Sequence, residues 1–131
     1  MDYAFVSLLG RAVGDATVYK DVGKPTKAIL DVATNLPIKK DGVSANKAIF
    51  HRVVVWGFHA DYLLSCQEGD SSGLKGRLIN IFGNIDSESY LDDNGRKITR
   101  NIIRVGFPNG NITVMDRRTN STSIDDCKNE S

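Results

Sequence analysis

The sequence predicts an all-β domain: a closed or partly closed antiparallel barrel of five strands, with one short helix and long hairpins. Three observations point there. Apolar residues recur with a period of two in short runs, the spacing of strands that bury one face. Turn sequences separate those runs at Gly14-Asp15, Gly23-Lys24-Pro25 and Asp92-Asp93-Asn94-Gly95. Only residues 60–66, ADYLLSC, read as helix, and the Gly- and Ser-rich QEGDSSG after them ends it. Strands this short would leave exposed edges in an open sheet, and closure removes them. A two-sheet sandwich fits the same periodicity.

The elements follow in order. Residues 6–11 are apolar and run into Gly14-Asp15; residues 18–22 form a second strand that ends at Gly23-Lys24-Pro25. In KAILDVAT, residues 27–34, Ala28, Leu30, Val32 and Thr34 alternate against Lys27, Ile29, Asp31 and Ala33, so one side is buried. IKKDGVSANK, from Ile38, reads as a mobile polar loop. The next strand is IFHRVVVWGF, residues 49–58. Ile49, His51, Val53 and Val55 leave one face of it and Phe50, Arg52, Val54 and Trp56 the other. Beyond the helix, residues 78–85 alternate with Ile79, Ile81 and Ile85 inward and Phe82 outward, and the strand reaches Tyr90. It turns where Asn94-Gly95 supplies positive φ, and residues 98–105 return. After Phe107-Pro108-Asn109-Gly110 a last strand covers residues 112–115. Residues 1–116 thus make one domain, and 117–131 a polar, disordered tail. A five-stranded barrel of the oligonucleotide-binding (OB) type is the leading architecture.

Composition narrows the function. A chain of 131 residues is one domain with a core of its own. Its net charge is +1, but Asp125, Asp126 and Glu130 face only Lys128 in the tail, so the body is more basic and a polyanionic partner is permitted. Cys66 and Cys127 lie far apart, which is no disulfide framework and fits a reducing compartment. No run reaches the roughly 18 apolar residues of a membrane span, and no basic region leads into an apolar block at the N-terminus. The expectation is a soluble protein; any organelle transit peptide would have been removed, because DYAFV already approaches the first strand.

Catalysis has no visible residues. His51 and His59 are not at metal-ligand spacing, no cysteine pair stands two or four apart, and phosphate-loop, nucleophile-elbow and dinucleotide-binding motifs are absent. Asp92 and Asp93 are turn residues beside Asn-Gly. The expectation is a non-enzyme with no metal and no cofactor. Binding residues are visible. An aromatic face stacks any base, and neighbouring cations hold phosphates. Phe50, Arg52 and Trp56 place two rings and a guanidinium on one side of one strand, opposite the apolar Ile49, Val53 and Val55. Lys39 and Lys40 precede that strand, and Arg96, Lys97 and Arg100 cluster on the returning hairpin.

GRAVGD, VATN, FHRVVVWG, KGRLINIFGNIDSESYLDDNG and ITRNIIRV together resemble the homotetrameric single-stranded DNA-binding proteins of bacteria and mitochondria. The likeness runs in order from Phe5 to Val105 and is most specific in HRVVVWG. It implies an OB barrel that wraps single strands over aromatic platforms. By position, the family's stacking aromatics fall on Phe50, Trp56 and Tyr90, while the loop tryptophan falls near Ile38 and that platform is lost. Arg52 and Lys75 match residues that the family aims at phosphates, and Lys39 stands close to another. His51 matches a histidine associated with subunit contacts.

Three features depart from the family. Asp86 and Glu88 stand before the third aromatic where members often carry basic residues, which weakens phosphate attraction there. EGDSSG, residues 68–73, lengthens the connection after the helix. The tail lacks the family's acidic, hydrophobic tip, so the chain looks more like the mitochondrial branch. The resemblance implies sequence-independent binding and protection of single-stranded DNA during mitochondrial replication, repair and recombination. It also implies a homotetramer built from homodimers, replication proteins as further partners, and residence in the mitochondrial matrix, or else in bacterial cytoplasm or nucleoid. An OB-fold RNA-binding or primosome-type accessory protein is the alternative, and a structural assembly protein whose aromatic face meets protein is a second.

Overall fold

The computed structural model describes residues 4–106 and 109–115. Its elements are β1 (Phe5–Ala12), β2 (Thr17–Tyr19), β3 (Lys27–Lys40), β4 (Val43–Trp56), α1 (Phe58–Glu68), β5 (Leu78–Leu91), β6 (Lys97–Val105) and β7 (Asn111–Val114). The strands run β1-β3-β4-β6-β5 around one sheet, and β1 pairs with β5 to close it. Short β2 lies against β3, and β7 against β5. The predicted five-stranded closed barrel with one helix is therefore present. One pairing, β4 with β6, is parallel, because α1 and β5 intervene and carry the chain back to the end from which β4 began.

The alternation read from the sequence builds the core. Ala28, Leu30 and Val32 of β3 meet Val53 and Val55 of β4, Ile79 and Ile81 of β5, and Val105 of β6, with almost no exposed surface. Leu63 of α1 and Leu74 plug the end of the barrel where the helix crosses. The segment 68–73 holds that plug in place. Asp70 accepts from the Ser72 N–H and pairs with Arg77 at 3.7 Å, and Asp15 accepts from the Leu74 N–H at 2.8 Å.

Closure needs two strands that change partners, and each carries a glycine where backbones approach closely. β1 passes from β5 to β3 around Gly10, where an added Cβ would lie 2.5 Å from the Ala33 carbonyl oxygen. β5 passes from β1 to β6 around Gly83, with the Arg104 carbonyl oxygen 2.6 Å from the same virtual atom. Glycine inside a strand marks such barrel corners.

Three expectations need correction. IKKDGVSANK is no mobile loop. Lys40 pairs with Val43 around a two-residue Asp41-Gly42 turn with φ of 52° and 79°, and the ladder runs unbroken back to Lys27↔Trp56. Residues 35–48 thus stand off the barrel as a two-stranded arm that buries no core, which is why its sequence lacks apolar alternation. The strand expected over residues 18–22 is shorter, and Val22 is fully exposed. Ile85 keeps its inward parity yet is 51% exposed, because β5 has by then passed the end of β1 and no wall faces it across the barrel mouth. The tail expected over 117–131 lies outside the described residues.

Candidate nucleic-acid interface

The register sets out one continuous outer face. On β4, Phe50, Arg52, Val54 and Trp56 stand opposite Ala33, Asp31, Ile29 and Lys27 of β3, and β2 adds Thr17 opposite Ile29 and Tyr19 opposite Lys27. Across the parallel pairing, Val54 sits beside Arg104, and the same parity carries Ile102, Arg100 and Ile98 on β6. β5 contributes Asp86, Glu88 and Tyr90 opposite Ile102, Arg100 and Ile98. β3–β4 and β5–β6 both extend past the barrel, so the face continues up two arms.

The rings are on the surface. Phe50 is 66% exposed and Tyr90 is 47% exposed, while Trp56 is half-buried. The Lys27 ammonium lies 5.2 Å from the centre of the Trp56 ring and 5.9 Å from that of Tyr19. The indole N–H of Trp56 is buried with no hydrogen-bond partner among the described residues. On the second arm the Arg100 guanidinium lies 5.6 Å from the Tyr90 ring centre, a cation–π arrangement.

The arginines of this face carry carboxylate partners. Arg52 donates to Asp31, its neighbour in the ladder, at 3.1 Å. Arg104 lies 2.8 Å from Asp86, and Arg100 lies 3.3 Å from Glu88. The bond to the Asp31 carboxylate holds the Arg52 guanidinium above its ordinary pKa against the opposing effect of burial; the charges of Asp31, Glu88 and Tyr19 add to it. The Asp86 carboxyl sits below the usual range, chiefly because it accepts the Ser87 N–H and then because of Arg104. The expectation that Asp86 and Glu88 weaken phosphate attraction acquires a geometry here: each neutralises one particular arginine.

The other sequence candidates separate. Lys39 shares the parity of Phe50 on the first arm, whereas Lys40 points to the opposite side. Arg96 lies in the turn at the tip of the second arm, where Asp92 accepts from its backbone N–H. Lys75 lies in the connector between α1 and β5, whose backbone bonds to Ala12, and so at the helix end rather than on a strand of the face. His51 is at the barrel mouth on the other parity, 3.0 Å from the Thr34 hydroxyl. Phe82 joins Phe5 instead, with ring centres 5.0 Å apart, on the β1–β5 seam opposite β4. Sequence reasoning missed Tyr19, Lys27 and Asp31 as members of the face, although the Asp-Gly turn, read as a two-residue hairpin, sets two of the three opposite Trp56 and Arg52.

No protein-family model matches this chain, and no curated protein matches it in sequence. Among solved structures, a Plasmodium falciparum SSB in complex with ssDNA superposes with a TM-score of 0.73 at 19% identity, covering 88% of this chain and 97% of that one. At that identity the likeness establishes architecture: the chain folds as an OB barrel of the SSB type.

Proposed function

We propose that this chain binds single-stranded DNA without sequence preference, stacking bases on Phe50, Trp56 and Tyr90 while arginines and lysines meet the phosphates. The observation that carries the reading is the shared outer face: three aromatic side chains in one parity class, two of them well exposed, interleaved with Arg52 and Arg100. Stacking tolerates any sequence because every base has a π face. The superposable fold of an SSB solved with ssDNA supports the same reading.

Protection of exposed strands in mitochondrial replication, repair and recombination, contact with replication proteins, and residence in the mitochondrial matrix extend this proposal from the sequence resemblance. So does a homotetramer assembled from homodimers, with His51 at a subunit contact. Exposed Phe5, Leu9 and Phe82 on the β1–β5 seam supply apolar surface for such association.

The test is anisotropy of a labelled oligothymidylate titrated with wild type and with Phe50→Ala, Trp56→Ala and Tyr90→Ala. Each loss should weaken binding by about 5- to 150-fold, the worth of one stacked base. A triple variant that folds and keeps wild-type affinity refutes the proposal. Equal or tighter binding of a matched RNA oligomer would turn the reading towards RNA, since the 2′-hydroxyl is what separates the two.

A further inference from the structure

The cross-strand row Tyr19–Lys27–Trp56 lies at the edge of the face, and nothing in the reading above uses Tyr19 or Lys27. The three residues are consecutive partners across β2, β3 and β4, so their side chains stand side by side on one surface. Tyr19 is 45% exposed. A cleft of about 360 Å³ opens here, lined by Tyr19, Asp21, Lys24, Pro25, Lys27 and Trp56. That volume is within the range of small-ligand sites, about 300–1,000 Å³. Its walls hold two aromatic rings and two lysines, the chemistry that recognises one unpaired nucleotide: a flat π surface for the base and ammonium groups for its phosphate.

We infer that this cleft is a fourth nucleotide site, in which Tyr19 stacks one base beyond Trp56 and Lys24 and Lys27 meet the adjoining phosphates. The inference rests on the single-strand reading and deepens it, because it sends the strand across the sheet from β4 over β3 to β2. Lys27 has a second role. With no strand bound, its ammonium lies close to both rings, and an arriving base takes its place against the aromatic surface while the flexible side chain swings to the phosphate. Cation and base compete for the same π faces, so the site is kept covered until a polyanion arrives. Asp21, on the same rim, repels phosphate and leaves Lys24 and Lys27 as the side on which the backbone passes.

The test uses oligothymidylates of about 4 to 16 nucleotides, the span of one OB fold. Tyr19→Ala should weaken binding of the longer oligomers by about 5- to 150-fold and leave the shortest less affected, whereas Tyr19→Phe keeps wild-type affinity. Lys27→Gln should reduce the dependence of log K on log salt by about 0.7, one single-strand phosphate contact. A thymidine oligomer carrying 5-iodouracil should photocrosslink to Tyr19, and mass spectrometry of the β2 peptide reads this without reference to affinity. If wild type binds and Phe50→Ala weakens it, while Tyr19→Ala and Lys27→Gln behave as wild type and no crosslink forms at Tyr19, this site is refuted and the single-strand reading stands. If wild type binds no oligomer, both fall.

Discussion

Replacing Asp31, Asp86 and Glu88 by their amides, as Asp31→Asn, Asp86→Asn and Glu88→Gln, removes the charged partners of Arg52, Arg104 and Arg100 without changing side-chain shape. On the proposed function those guanidiniums would reach a phosphate already neutralised, and a neutral pair displaces few counterions from a single strand. Each newly unpaired arginine that meets a phosphate steepens the slope of log K against log salt by about 0.7. Three of them change the slope by about −2, so raising salt from about 50 to 200 mM costs the variant roughly 20-fold more affinity than it costs wild type. At low salt the variant should bind more tightly. Anisotropy titrations at several salt concentrations measure both quantities, and circular dichroism checks the fold, which exposed pairs support only weakly. An unchanged slope in a folded variant would show that the arginines exchange carboxylate for phosphate at no cost in counterion release, and the argument from paired charges would fail.

Two further outcomes concern the scaffold. Gly10→Ala drives a methyl against the Ala33 carbonyl oxygen at 2.5 Å and Val32 Cγ1 at 2.8 Å, and should lower stability by about 1–3 kcal/mol in urea unfolding. Gly14→Ala, which meets open space, should leave the midpoint nearly unmoved, and equal effects would show that the barrel corner is not the cause. Deleting residues 36–39 and 44–47 shortens the first arm by an even number of ladder pairs, so the faces keep their parity. The melting temperature should hold while the salt dependence of binding becomes shallower through loss of Lys39 and Lys47; a large fall in melting temperature would mean that the arm supports the core.

What could be read from the sequence follows the physics of burial. Ala28, Leu30, Val32, Val53, Val55, Ile79 and Ile81 face a core, so their period of two was visible and the barrel with it. Where no core exists, the signal disappears. Residues 35–48 are strands held by their ladder and by the Asp41-Gly42 turn, and polar composition made them look like a loop. Ile85 shows the converse, correct parity with the opposite wall missing. Phe50, Arg52 and Trp56 were legible as a set because one strand holds all three. The pairing of Arg52 with Asp31, and of Trp56 with Lys27 and Tyr19, spans strands, and a single-strand reading cannot supply it. The pairs with Asp31 and Lys27 were recoverable by counting outward from Lys40↔Val43 around the Asp-Gly turn, since a two-residue hairpin fixes every later pair of that ladder, whereas Tyr19 belongs to a separate pairing.

The two arms divide the work. The first carries Lys39 on the side of Phe50, Lys40 and Lys47 on the opposite side, and no aromatic residue, so it would attract a phosphate chain but could not hold a base. The second carries Tyr90 under Arg100, with Glu88 offsetting the charge, so it holds a base while adding little attraction. Between them β4 offers Phe50 and Trp56 around an arginine that Asp31 already neutralises. On the proposed function, most of the long-range pull would come from lysines and most of the short-range grip from rings, which would reconcile a net charge of only +1 with a polyanionic ligand. Charge would then set how fast a strand arrives, and stacking how long it stays. Neutralising Lys39 and Lys47 should accordingly slow association in stopped-flow mixing, whereas Phe50→Ala should speed dissociation; the reverse assignment would overturn this division.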